Sequence, residues 1–199
     1  MGYSGHGYSI LDVALDNNFE ILGYMDFNEN NFNPYGLNYL GIENNLNNIN
    51  KIPDSKFILG IGNNKKREEI FNFILKNKGQ ISNVISESSN ISKTVKIGNG
   101  NFINKNVIIN TFSLIEDNII LNTGCIIEHN CEIAKSSHIA PGVVLAGGVK
   151  IGSRTFIGAN SVVKQGVKIG SDVVVGAGSV VLKDVPDGYV VVGNPARKI

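Results

Sequence analysis

From Ile85 to Val181, every sixth residue is Ile, Leu or Val. The series opens with Ile85, Ile91, Ile97, Ile103, Ile109, Ile115 and Leu121. It closes with Ile157, Val163, Ile169, Val175 and Val181, and the phase fails only at Gly79 and Asp187. A helix repeats every 3.6 residues and a half-buried strand every 2, so a period of six fits neither. It is the hexapeptide β-helix repeat, in which each unit is one short strand plus one turn and three units close a triangular coil of 18 residues. The aliphatic residue points inward and stacks on its counterpart one coil along. Four positions later the residue is small, as in Ser113, Cys125, Cys131, Ser137, Thr155 and Ser161, because the corner of a triangle leaves little room. The residue just after the aliphatic one is often Gly or Asn, as in Gly98, Asn104, Asn122, Gly152 and Gly170, which predicts left-handed turn angles there. At about 4.8 Å per coil the prism should be about 27 Å long.

Residues 1–84 read differently. Ser9–Asn17 predicts a short helix, Glu20–Asp26 and Lys56–Ile61 predict strands, and Arg67–Asn77 predicts a second helix with Ile70, Phe71, Ile74 and Leu75 at helical spacing. Asn44–Lys51 reads as a polar loop. Such alternation indicates a small α/β unit with a parallel sheet. The chain is therefore expected to be mainly β, with an α/β domain at 1–84 and the β-helix plus a short tail at 85–199. The Gly2–Gly7 turn should follow a strand, yet only Met1 precedes it. Either the first strand is missing from this chain or the turn stands at the edge of the fold.

Charge excludes some partners. Lys+Arg is 18 and Asp+Glu is 17, net +1, so no basic surface for nucleic acid is expected. No apolar run approaches the ~20 residues of a membrane span and no signal peptide is recognisable. Two cysteines in such a chain predict free thiols and a cytoplasmic location.

The chemistry must lie in residues that the repeat does not require. His129 and His138 are off the core positions and nine residues apart, half a coil, so one prism carries them on different sides. Prisms packed with three-fold symmetry would bring His129 of one near His138 of another, and a cleft histidine is a natural general base. The alternative is a pair of solvated turn histidines. Cys125, His129, Cys131 and His138 match no zinc spacing, and both cysteines occupy the small inward position, so neither a metal nor a thiol nucleophile is expected. Near the N-terminus, Gly2-Tyr3-Ser4-Gly5-His6-Gly7 is a glycine-rich turn running into a helix, a place for phosphate. Asp26 at a strand end and Ile61-Gly62-Asn63-Asn64 are two further strand-to-turn junctions. Together the three would line one rim of a sheet, where α/β ligands bind.

These residues resemble a known family. The N-terminal glycine turn, Ile61-Gly62-Asn63-Asn64 with Arg67, Ile127-Glu128-His129-Asn130-Cys131, His138-Ile139-Ala140-Pro141-Gly142, Ala146-Gly147-Gly148 and Gly193-Asn194-Pro195-Ala196-Arg197 are similar to bacterial sugar O-/N-acyltransferases. This family, of the bacillosamine N-acetyltransferase and sialic acid O-acetyltransferase type, has a nucleotide-sugar domain followed by a left-handed β-helix, and the resemblance covers nearly the whole chain. It implies His129 as catalytic base beside Asn130, where the family usually has Asp or Glu. It implies Ser4, Gly5, His6, Asp26 and Gly62 at nucleotide-sugar positions and His138, Ala159 and Ala177 at acetyl-CoA positions. It also implies a homotrimer with its sites between subunits, and no metal. The expected reaction is acetyl transfer from acetyl-CoA to the amine of a nucleotide-linked 4-amino-4,6-dideoxy sugar. O-acetylation of a sialic-acid-like sugar and a non-catalytic β-helix binding or scaffold protein are the alternatives. A hydroxyl is the weaker nucleophile and leans more on a strong base, so Asn130 favours the amine.

Overall fold

A computed structural model describes residues 1–45, 52 and 54–199. From Val84 onward the chain winds as a three-faced parallel β-helix of two-residue strands. The first face holds Val84–Ile85 and its successors up to Val174–Val175, then Val190–Val192 and the antiparallel Arg197–Lys198. The second runs from Asn90–Ile91 to Val180–Val181, and the third from Lys96–Ile97 to Lys168–Ile169. Register advances by 18 residues per coil, for example Ile126 beside Val144 and His138 beside Phe156.

The phase residues are buried from Ile103 to Val181; Ile85, Ile91 and Ile97, in the first coil with no coil beneath, are half-buried. At the corners, the small inward residues close a repeated bond. The hydroxyls of Ser113, Ser137, Thr155 and Ser161 donate to the carbonyls of Glu128, Gly152, Gly170 and Gly176, each 15 residues on. Cys131 Sγ occupies the same slot, 3.3 Å from the Ala146 carbonyl. Cys125 and Cys131 are free, and burial pushes their thiols up to about 12 and about 11, which removes them as nucleophiles.

The turns differ from expectation. Positive φ does not fall just after the aliphatic residue but two positions further on, at every sixth residue from Gly100 through Asn106, Asn118, Asn130 and Arg154 to Gly178. The glycines just after the aliphatic residue answer a different need. A Cβ at Gly152 would lie 2.4 Å from the Gly170 carbonyl carbon, and one at Gly158 2.5 Å from the Ala177 nitrogen. There the next coil passes too close for any side chain.

Residues before Val84 form the smaller unit. Helix α1 is Gly5–Asp16 and helix α2 is Asn64–Lys76. The first starts four residues earlier than expected, so Gly5, His6 and Gly7 are its first turn rather than a loop. Gly7 is required because a Cβ there would lie 2.4 Å from the Gly2 carbonyl oxygen. The expected strands shrink to Lys56–Phe57, paired in parallel with Gln80–Ile81, and a parallel bridge between Tyr24 and Tyr39. The Gly2–Gly7 turn is not at the edge. The Met1 ammonium donates to the Ile58 carbonyl at 2.7 Å, Gly60 N–H to the Met1 carbonyl at 2.6 Å, and Gly2 N–H to the Met25 carbonyl at 2.9 Å. Met1–Gly2 thus sits between the two flanking segments, bonded to both, although Gly2 at φ +81° is not extended. Burial lowers the ammonium to about 6, against the opposing pull of Glu43 and Asp26. Most of the polar loop Asn44–Lys51 lies outside the described residues.

The unit packs on the first face. Ile10, Val13 and Ala14 of α1 bury against Val84, Phe102 and Ile120. Arg67 of α2, 1% exposed, crosses this junction. Its guanidinium donates to the carbonyls of Asn118, Ser136 and Ser137 in the β-helix and of Ile61 and Gly62 in its own unit, and to Asn64 Oδ1.

Candidate active site

The three strand-to-turn junctions meet. Gly2 and Ser4, Asp26, and Ile61 with Gly62 line one cavity of about 360 Å³, together with Glu43 and Lys66. Two helices point their N-termini here. Ser4 caps α1 without a side-chain bond and the first turn holds no acidic residue, so its N–H groups and positive dipole end are left uncompensated by its own side chains. α2 is capped by Asn63, whose Oδ1 accepts from Lys66 N–H at 3.0 Å. Lys66 pairs with the buried Glu43 at 3.2 Å. Asp26 is largely committed to the turn: its carboxylate accepts from Tyr3 N–H at 2.7 Å and from Phe27 N–H at 2.6 Å. A larger cavity of about 400 Å³ lies between Phe19–Met25 and Lys56–Ile58. It is mostly apolar and, although Gly2, Tyr3 and Gly7 of the turn line it, it contains none of Ser4, Gly5, His6, Asp26 and Gly62, so it is set aside.

His6 does not line the cavity with Ser4 and Gly62. It turns inward towards the β-helix, with its ring centroid 6.0 Å from that of His138 and 5.7 Å from Phe102. His138 opens a first-face strand and is 8% exposed, edge-on to Phe156 at 5.1 Å. Burial first, and then the Arg67 cation, lower His6 to about 4 and His138 to about 3. Both rings are neutral at pH 7, which makes them poor bases and suits them to hydrogen bonding. Ala159 and Ala177 follow first-face strands one and two coils beyond His138, at its flanking corner; Ala177 is exposed.

His129 lies elsewhere, on the exposed corner between the second and third faces. Its Nδ1 is 2.9 Å from Asn130 Oδ1. An amide oxygen only accepts, so Nδ1 carries the proton and the Nε2 lone pair is free. Asn130 sits at φ +59°, a conformation that asparagine tolerates better than most residues. Gly147, one coil on, makes room for the ring: a Cβ there would lie 2.6 Å from His129 Nε2. With His129 as the base that the resemblance implies, Gly147→Ala is expected to push the ring aside and lower kcat by about 10²-fold, the cost of roughly 1 Å of misplacement, with the fold intact by circular dichroism. Activity within threefold of wild type would show that the ring needs no such slot.

A single chain thus keeps His129 on a different face from His138, Ala159 and Ala177. Residues whose parts were not foreseen are Gly147, the Glu43–Lys66 pair, and Arg67 as the clasp between units. Arg67 had a signal in the sequence: it falls on the same helical stripe as Ile70, Phe71 and Ile74, all buried. A charge on an apolar stripe demands buried partners. Among the described residues no helix is long and apolar enough to cross a membrane, and no three His, Cys, Asp or Glu side chains cluster as metal ligands would.

Comparison with known proteins places this geometry. Residues 1–74 match the PglD N-terminal domain, and residues 148–183 match the hexapeptide repeat of succinyl-transferase. A point variant of perosamine N-acetyltransferase from Caulobacter crescentus, solved with CoA and GDP-perosamine, is 30% identical. The similarity covers 100% of this chain and 94% of that one, with a TM-score of 0.95. The acetyltransferase domain of PglB from Neisseria gonorrhoeae, solved with acetyl coenzyme A, is 27% identical over 100% of this chain and 96% of that one, with a TM-score of 0.93. Among curated proteins, the uncharacterized protein L142 of Acanthamoeba polyphaga mimivirus is 33% identical over 101 residues, half of this chain and 19% of that protein's length. With its whole length matched to such an enzyme, and with both the glycine-turn unit and the hexapeptide coils in place, the chain belongs to the left-handed β-helix sugar acyltransferases.

Proposed function

We propose that the protein transfers acetyl from acetyl-CoA to the amino group of a nucleotide-linked 4-amino-4,6-dideoxy sugar, with His129 as general base. The observation that carries this reading is His129 itself: exposed, oriented through Nδ1 by Asn130, and with Nε2 free over Gly147. The amine nitrogen attacks the thioester carbonyl carbon and Nε2 accepts the amine proton. The tetrahedral intermediate then collapses, the C–S bond breaks, and the imidazolium returns its proton to the thiolate of CoA. No covalent enzyme intermediate is needed, in keeping with two buried, thiol-form cysteines. The diphosphate of the sugar nucleotide is assigned to the 360 Å³ cavity, where the uncompensated N-terminal N–H groups of α1 supply positive charge.

The two ends of the substrate lie on different faces of one chain, so the reading includes a homotrimer with the site between neighbours. The second face supports it. Its outward residues Ile108, Ile126, Val144, Val162 and Val180 form an aliphatic stripe, with Ile108 36% and Val162 41% exposed. The third face presents one exposed aliphatic residue, Leu114, among the charged Lys96, Glu132, Lys150 and Lys168. An apolar stripe beside His129 is what a neighbouring prism would cover. His138, Ala159 and Ala177 are assigned to acetyl-CoA and Ser4, Gly5, His6, Asp26 and Gly62 to the sugar nucleotide. The neighbours' GDP-perosamine makes the GDP-linked 4-amino sugar the first to try. The test follows thiol release from acetyl-CoA with GDP-, UDP- and dTDP-linked 4-amino sugars and with sialic acids. Turnover of a 4-amino sugar nucleotide is expected; turnover of sialic acids alone would overturn the reading.

A further inference from the structure

The hydrogen bonds around His138 decide which of its nitrogens holds the proton. Lys105 N–H donates to the Asn104 side chain at 2.7 Å and Thr123 N–H to the Asn122 side chain at 2.8 Å. A backbone N–H only donates, so the atom it meets is Oδ1 in both residues, and each amide is thereby turned one way. Asn104 Nδ2 then donates to Asn122 Oδ1 at 3.0 Å, and to Ser9 Oγ of α1 at 3.3 Å. Asn122 and Asn104 are 18 residues apart, so they stack in adjacent coils as a ladder that runs in one direction. Its last rung sets Asn122 Nδ2 3.4 Å from His138 Nε2. Two donors do not face each other, so Nε2 carries the lone pair and the neutral ring holds its proton on Nδ1. That Nδ1 is buried and has no partner within hydrogen-bond distance among the described residues; the Gly62 carbonyl draws on the ring proton only from further off. A buried donor left without an acceptor is costly unless a ligand supplies the acceptor.

We infer that Asn122, backed by Asn104, is a positioning residue for the acyl transfer: it fixes His138 as the neutral Nδ1–H tautomer, so that the ring offers one buried donor to an oxygen of the bound acyl donor. One 18-residue coil step, Asn104 to Asn122, and a 16-residue step, Asn122 to His138, thus set ring orientation and tautomer, and Nδ1 stays a donor whatever the pH above the ring's own low range. The part that concerns the acyl donor rests on the function proposed above; the tautomer does not.

The test uses the whole protein with ¹⁵N-labelled histidine at pH 7. With three histidines, the His138 ring signals are identified by their loss in His138→Asn. Long-range ¹H–¹⁵N correlation is expected to show a protonated, pyrrole-type Nδ1 and an unprotonated, pyridine-type Nε2 for His138. In Asn122→Asp a carboxylate without a donor faces Nε2, and the proton is expected to move to that nitrogen, reversing the pattern. Asn122→Gln, which keeps an amide, is expected to hold it. A wild-type spectrum with the proton on Nε2, or an Asn122→Asp spectrum unchanged from wild type, would overturn the inference, and the wild-type spectrum decides even if the variant fails to fold. In kinetics, Asn122→Asp is expected to raise KM for acetyl-CoA about tenfold or more with a smaller change in kcat. An Nδ1–H tautomer in a protein that turns over no amino sugar would leave the tautomer standing and sink the proposed function instead.

Discussion

His129→Ala is expected to lower kcat by about 10²–10⁴-fold with a verified amino-sugar substrate, while KM for acetyl-CoA changes little. The range is what a general base contributes, and the geometry gives no substitute. His6 and His138 are held at about 4 and about 3 by burial and Arg67, too low to accept an amine proton at pH 7. The companion change is Asn130→Asp. A carboxylate accepts the same bond from Nδ1 and adds a full charge that stabilises the imidazolium, so activity should hold or rise, and the acid limb of the pH–rate profile should move to higher pH. Aspartate also tolerates the φ of +59° at this position, whereas Asn130→Ala would mix a backbone cost with the lost bond. Near-normal kcat in His129→Ala would refute the assignment.

Arg67→Met should produce the largest loss of stability among single changes at the junction. The guanidinium is 1% exposed, and burial lowers it only to about 9, so it stays charged at pH 7. It satisfies backbone carbonyls on both sides of the interface, and a thioether satisfies none. Each buried acceptor left without a donor costs about 1–3 kcal/mol, so a total of about 3 kcal/mol or more is expected. For a chain of this length that is a fall in Tm of about 6–12 °C, measured by calorimetry at fixed protomer concentration. Arg67→Lys should recover only part of it, since one ammonium cannot reach carbonyls on both sides as the fork does. A Tm within 2 °C of wild type for Arg67→Met would show that the two units hold together without the clasp.

How far the site could be read in advance varied with the kind of residue. His129 stood out because the hexapeptide pattern assigns no task to its position, and its bond to Asn130 is between chain neighbours. The junctions at Ser4, Asp26 and Gly62 were legible because each is a local turn signal, and the parallel arrangement brings them to one rim. His138 looked like a second surface histidine, as His129 does; that the N-terminal unit covers it depends on contacts across more than 100 residues of chain. The turn angles were misplaced by two residues for a related reason. Glycines selected for coil-to-coil clearance at Gly152 and Gly158 looked like glycines selected for positive φ, and sequence does not distinguish the two needs. The early start of α1 was hidden by Gly5 and Gly7, poor helix formers; Gly7 is there because the turn passes close to the Gly2 carbonyl, while Gly5 has open space around it.

The sequence by itself determined the β-helix, its start, its three-faced coil and its inward residues. A period of six repeated without a break leaves one way to bury every aliphatic residue, and each coil needs only its neighbours to form. Tertiary structure alone decided what the solenoid carries. It set the N-terminal unit on the first face rather than another, gave Arg67 its carbonyls, brought His6 and His138 together in a buried junction, and ran the asparagine ladder in one direction. Those outcomes come from desolvated polar groups finding partners far away in the chain, and no local pattern encodes which partner that will be.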